Sequence, residues 1–486
     1  MELTDKQRIR FINTPKTLLV KNAEILVTMD NSRREIANGA LFAEDGIITS
    51  VGPTSCLPEE ADTVIDASNQ IVLPGFINTH HHLNQTLTRN LPLAQNTNLF
   101  TWLQLHYPIW ARITPEASRT SALVGLCELL LSGCTTVFDH AYLFKNGNNV
   151  DVIIEAAQDL GIRFHASRGS MSQGTSMGGL PPDNCVENEE FILNDSIRVI
   201  DRYHDPSHGA MTQVALAPCS PFTVSERLLK DTASLARDKG VMLHTHICET
   251  FDEERLTLEH FGKRPLEWME EMGWLGSDTW FAHVVHIDTL EIQALARNQC
   301  GIAHCPSSNM RLASGISPIK DFLNAGIRVG LGVDGSASND ASSLLLETRQ
   351  AMLLSRVRMG LLPPEGPLKY SQLPQSHPLR DKEWMTAREA LELATIGGAS
   401  VLNRSDIGAL EVGRCADFFT LELNTINYAG SLSDPVAAIV FRAPQTAKTV
   451  VIHGRIIVRD GNITTIDLEQ VIEEHNNWSL KLIRGS

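Results

Sequence analysis

The segment Pro74-Gly75-Phe76-Ile77-Asn78-Thr79-His80-His81-His82 is an apolar run that stops on three histidines. On a strand, residues i and i+2 share a face, so His80 and His82 point together and His81 points away. Two imidazoles on one face at a strand's end can chelate a divalent metal. The plain alternative is a polar strand end on which histidines merely pack. Three further apolar runs stop on groups of the same kind: His244-Thr245-His246-Ile247-Cys248-Glu249, Phe281-Ala282-His283 and Gly330-Leu331-Gly332-Val333-Asp334-Gly335. Singly, His283 or Asp334 reads as a structural strand-end residue. Jointly, the imidazoles of His80, His82 and His246 and the carboxylate of Asp334 make a donor set that suits zinc, with iron(II) and manganese open.

Such a set needs several strand ends brought to one place. Between residues 71 and 333 short apolar runs alternate with helical patterns. The runs are Ile71–Asn78, Thr135–Asp139, Ile162–Ala166, Gln213–Ala217, Val241–His246, Thr279–His283, Gly301–Cys305 and Ile327–Val333. Thr223-x-x-Glu226 and Asp288-x-x-Glu291 read as capping boxes that open two of the helices. Eight strand-plus-helix units predict a (β/α)₈ TIM barrel, whose active site gathers at the C-terminal strand ends. A doubly wound open sheet competes, weakened because no G-x-G-x-x-G follows a strand. Residues Thr17 to Ala67 read instead as short strands with tight turns. Asp417–Leu423, Ala437–Phe441 and Thr449–Val458 repeat that style, with a hairpin turn at Asp460-Gly461. The expected organisation is therefore α/β: a small β-sandwich domain built from both chain ends (1–70 and 408–486), and a metal-dependent barrel (71–407).

Composition excludes other classes. The 486 residues carry a formal net charge of −16, which disfavours a nucleic-acid partner or an anionic membrane surface. Hydrophobic residues at 43% and charged residues at 20% describe a globular chain. No apolar run reaches the roughly 18 residues of a membrane span. Met1 to Arg10 has no apolar core, so no secretory leader is expected. Nine scattered cysteines without a C-x-x-C pair read as reduced thiols of a cytoplasmic protein. Gly174-Thr175-Ser176-Met177-Gly178 matches the nucleophile pattern G-x-S-x-G but lacks the strand before and helix after that the elbow requires. Pro218-Cys219 fails the P-C-x-x-C deaminase signature because position 222 is Phe.

The set His80-x-His82, His246-x-x-Glu249, Ala282-His283-Val284-Val285-His286 and Val333-Asp334-Gly335 resembles the amidohydrolase superfamily, in its mononuclear aminohydrolase branch. Gly408-x-Leu410-x-x-Gly413-x-x-Ala416-Asp417 extends the resemblance to the C-terminal β domain. The strand-four run has no Lys, so the bridging carboxylated Lys of the binuclear branch is absent and one divalent metal per subunit, zinc, is implied. The resemblance implies that His80, His82, His246 and Asp334 hold it. It also implies that metal-bound hydroxide attacks an amino-bearing ring carbon: Asp334 takes the water's proton, Glu249 protonates the neighbouring ring nitrogen and His283 bonds the attacking oxygen. Within the branch, Arg168 to Pro182 and Asn309 to Gly315 look most similar to 8-oxoguanine deaminases, which turn 8-oxoguanine and water into uric acid and ammonia. Hydroxylated s-triazines, isoxanthopterin, guanine and isocytosine are the alternative substrates, and a catalytically silent barrel the alternative class. The substrate side implied is Gln85, Arg168, Trp110 and Cys219, with Trp102 and Tyr107 as further ring-stacking candidates. The implied partner is a small purine-like molecule, and the resemblance leans towards a homo-oligomer.

Overall fold

A computed structural model describes residues 15–361, 384–442 and 445–485, so the N-terminal segment Met1–Arg10 lies outside it. Eight parallel strands close in chain order: β1 (Phe76–Asn78), β2 (Cys134–Asp139), β3 (Arg163–Ser170), β4 (Thr212–Pro218), β5 (Met242–Ile247), β6 (Thr279–His283), β7 (Gly301–His304) and β8 (Arg328–Leu331). The ring shuts where Leu331 pairs with Asn78. Strands β2, β3, β6 and β7 are buried at every position, as parallel strands covered by helices must be. This is the expected (β/α)₈ barrel. Gly330 to Gly335 does have the G-x-G-x-x-G spacing, but its glycines answer to packing around β8. A Cβ on Gly332 would lie 2.6 Å from that of His80, and one on Gly335 would lie 1.8 Å from Gln85 Oε1.

The second body is a nine-stranded sheet fed by both ends of the chain. Its central strand, Gln70–Pro74, pairs in parallel with Thr17–Val27 and antiparallel with Phe418–Glu422, so it stitches the two ends together. A bridge between Ile47 and Cys415 curls the sheet around Leu18, Leu26, Leu41, Ile48, Val72 and Phe418, giving the small β-sandwich. Its bond to the barrel is buried: Arg163 Nε and Nη2 donate to the two carboxylate oxygens of Asp417 at 2.9 and 3.1 Å.

Three local expectations are corrected. The run Ile71–Asn78 is two strands, one in each body, broken at Gly75, where a Cβ would lie 2.0 Å from Thr135 Oγ1. Residues Pro435–Phe441 form a helix, not a strand: Pro435 is at its first turn and Asp434 accepts from Ala437 N at 3.1 Å. The helix Glu226–Lys239 is capped by Ser225, not Thr223, whose hydroxyl serves Ser220; the box at Asp288 and Glu291 forms as expected. The C-terminal helix Leu468–Arg484 leaves the sheet and latches onto the segment after β1, with Ser479 Oγ donating to Leu87 O at 2.7 Å. Among the described residues no helix is long and apolar enough to cross a membrane, and the nine cysteines form no disulfide.

Candidate metal centre and active site

His80, His82, His246, His283 and Asp334 meet at the C-terminal mouth of the barrel. Asp334 Oδ1 lies 3.3 Å from Nε2 of both His80 and His82, and the Nε2 atoms of His82 and His246 are 3.0 Å apart. His81 turns the other way, onto Ser342 Oγ at 3.1 Å. The backbone is strained where these ligands are offered. Cys248, His283, Val284 and Asp334, at the ends of β5, β6 and β8, all have positive φ, and Val284 is β-branched at +45°.

The hydrogen bonds behind the ligands fix which nitrogen faces the centre. His82 Nδ1 and His246 Nδ1 face the carbonyls of His140 (2.8 Å) and Cys219 (2.5 Å). A carbonyl only accepts, so both Nδ1 atoms carry the proton and both Nε2 atoms are bare lone pairs. His244 Nδ1 likewise donates to Trp280 O at 3.0 Å. That leaves its Nε2 to accept from His80 Nδ1 at 2.9 Å and strips His80 Nε2 of its proton. Burial keeps these rings neutral: His82 is pushed down to about 3, His80 is lowered and His246 lies well below its ordinary value. Asp334 is the carboxylate of the set: Gly335 N–H donates to its Oδ1 at 2.7 Å and Ser338 Oγ to its Oδ2 at 3.2 Å. Three lone pairs and a carboxylate oxygen thus share a buried space with no donor among them. Such a cluster fits one divalent cation, and outer partners that set ligand tautomers are typical of metal sites.

The acid–base groups stand beside it. Glu249 Oε1 accepts from Ser314 Oγ at 3.1 Å, and Glu249 Oε2 faces His283 Nε2 at 3.6 Å. Burial raises the Glu249 carboxyl. His283 Nδ1 donates to Asn309 Oδ1 at 2.9 Å, which turns Nε2 towards Glu249 and, at 3.9 Å, Asp334 Oδ2. Burial would lower His283, but the carboxylates of Glu249 and Asp334 prevail and raise it.

These groups open into a cavity walled by Gln85, Trp102, Tyr107, Tyr142 and Cys219 among others. The structure thus brings Gln85 and Cys219 to the cavity. It does not bring Arg168 or Trp110 there. Arg168 is buried over the Phe144 ring and bound to Asp195 (2.6 Å) and Glu187 (3.1 Å). Trp110 donates to Thr88 Oγ1 at 3.0 Å inside a cluster with Trp102 and His106, while Trp102 and Tyr107 carry the aromatic wall.

Three residues of the centre were not singled out from sequence. His244 shares the strand face of His246 two residues later, the same spacing that exposed His80 and His82. His140 follows the last residue of β2, where strand-end logic again applies. Its Nε2 donates to Ala217 O at 2.9 Å, and its ring stacks on His246 with centroids 4.8 Å apart. Tyr142 packs edge-on against His82. The His208, Asp406 and Cys415 grouping elsewhere is a weak contender, because Arg404 and the Gly209 N–H already hold Asp406. Ser176, in the G-x-S-x-G stretch, sits in a surface turn bonded to Asp183.

The amidohydrolase family model matches residues 71–457, and the chain belongs to that family. It is accordingly a metal-dependent hydrolase by fold and site. The chain is 44% identical to an 8-oxoguanine deaminase of Pseudomonas aeruginosa over 92% of this chain and 96% of the relative. It is 36% identical to a hydroxydechloroatrazine ethylaminohydrolase of Pseudomonas sp. strain ADP over 96% of each. Among solved structures it superposes on an atrazine chlorohydrolase of Arthrobacter aurescens complexed with zinc, with TM-score 0.87 and 32% identity over 96% of this chain and 100% of that one.

Proposed function

We propose that this protein is a zinc-dependent aminohydrolase that converts 8-oxoguanine and water into uric acid and ammonia. The observation that carries the chemistry is the donor-free cluster of His80, His82, His246 and Asp334 placed beside a protonatable Glu249 on the cavity wall. The 8-oxoguanine deaminase at 44% identity supports the choice of ring.

Zinc, when bound, supplies Lewis acidity that brings the pKa of a water from 15.7 to about 7. The chain's own groups do the rest. Asp334 keeps Oδ1 between His80 and His82 and turns Oδ2 to the reacting space, where it takes the attacking water's proton and passes it towards the leaving amine. Ser314 donates to Glu249 Oε1, so the Glu249 proton sits on Oε2, aimed at the ring nitrogen next to the amino-bearing carbon. Burial raises its pKa, which favours the protonated form that donates. His283, its Nδ1–H held by Asn309, turns Nε2 to hydrogen-bond the attacking oxygen. The amide of Gln85, on the cavity wall, offers a donor and an acceptor to a lactam edge. The barrel is the catalytic unit and the two-ended sheet is its support.

A panel of ring amines assayed for ammonia release tests this. 8-Oxoguanine is expected to give the highest kcat/KM. A hydroxylated s-triazine is the second reading, favoured by the triazine-acting relative at 36% identity. Turnover of a triazine or pterin with 8-oxoguanine inert overturns the substrate and leaves the chemistry standing.

A further inference from the structure

Tyr107 lies on the helix Leu99–Trp110, fully buried, and lines the cavity. Its hydroxyl has no hydrogen-bond partner in the protein. A buried hydroxyl left unpaired costs stability, so a fold retains one when something else takes the bond. The cavity wall shows where. Tyr142 abuts the metal group, with its ring 5.3 Å from that of His82. Tyr107 stands apart from that group: among the described residues its ring meets Trp110, at 6.0 Å, and none of the histidines. Tyr107 thus lines the cavity with an unpaired hydroxyl and without the contact to the histidine rings that Tyr142 makes.

A ring whose amino-bearing carbon sits at Asp334, Glu249 and His283 must send its opposite edge in another direction. In 8-oxoguanine that opposite edge is the five-membered ring, which carries the C8 oxo group. We infer that Tyr107 is a specificity residue whose hydroxyl donates a hydrogen bond to an oxo oxygen on the ring edge remote from the amine. This rests on the reading of the site as a purine aminohydrolase. Burial pushes the phenol well above its ordinary pKa, so it remains a neutral donor. The neighbouring Cys219 thiol, pushed up to about 12 by burial, also stays protonated, so no anion on this wall repels an oxo oxygen.

The test is Tyr107→Phe, which keeps the ring and deletes the oxygen. Metal-loaded wild type and variant are titrated calorimetrically with uric acid, which carries the C8 oxo group, and with xanthine, which lacks it. Wild type is expected to bind uric acid more tightly than xanthine. The variant is expected to lose about tenfold for uric acid and nothing for xanthine, with an unchanged or higher Tm because an unpaired hydroxyl has gone. Equal losses for both ligands, no loss for either, or a lower Tm overturns the inference in favour of a packing role. Failure of wild type to release ammonia from 8-oxoguanine overturns the substrate reading as well, and is told apart because it appears before any variant is made.

Discussion

Replacing His244 with Phe isolates the device that sets the metal centre's protonation. His244 lines no part of the cavity; it passes a carbonyl's demand for a proton from Trp280 O to His80. Phe fills similar space but leaves His80 Nδ1–H without an acceptor and Trp280 O without this donor. Each buried group so stranded costs about 1–3 kcal/mol. His80 escapes its share by moving the proton to Nε2, and that removes one lone pair from the cluster. Loss of such an outer partner typically weakens metal binding by about 10–100-fold, or roughly 1.4–2.8 kcal/mol. Gln in the same place can accept from His80 with its carbonyl and donate to Trp280 O with its amide, so His244→Gln is expected to recover most of the affinity. The assay is competition for zinc between metal-free protein and a chromophoric chelator, which reads affinity without turnover. Wild-type affinity in His244→Phe, or equal losses in the Phe and Gln variants, would refute the tautomer argument.

Glu249→Gln and His283→Asn are each expected to lower kcat by about 10²–10⁴-fold with metal content unchanged, read from steady-state kinetics and elemental analysis. His165, buried at the other end of the barrel, is pushed down to about 3, chiefly by burial, from an ordinary value near 6.5. The unfolded chain therefore binds the extra proton between those values, and stability falls as pH drops from about 6.5 towards 3. Urea unfolding from pH 6.5 to 4 should show that His165→Phe flattens this slope by about 1.4 kcal/mol per pH unit; an unchanged slope tells against it. Arg168→Met strands the buried Glu187 carboxylate, while Asp195 keeps its pair with Arg198, and is expected to cost about 3–5 kcal/mol of stability while KM holds. A KM effect in a protein of normal stability would return Arg168 to the substrate.

What was legible in the sequence was whatever alternation and strand ends encode. The two-residue spacing exposed His80 and His82, and the halting of apolar runs at polar groups exposed His246, His283 and Asp334. The same rules covered His244 and His140, but their work is to hold other residues' protons and rings, and a donor count at strand ends does not show that. Trp110 and Arg168 were misplaced because sequence gives a side chain's type and not its partners: Thr88 Oγ1 takes the indole, and two acids take the guanidinium. Pro435–Phe441 was misread because its apolar residues run without a break, while Asp434 and Pro435 carried the helix signal. The run through Gly75 looked like one strand because the change of sheet rests on a close approach to Thr135, far off in sequence.

The central claim is that His80, His82, His246 and Asp334 grip a single divalent cation. Elemental analysis of the purified protein by plasma mass spectrometry, beside a His80→Ala/His246→Ala variant of matched purity, tests it most directly. The account predicts one zinc per chain in the wild type and almost none in the variant. Equal metal in both proteins, or two ions per chain in the wild type, would contradict it.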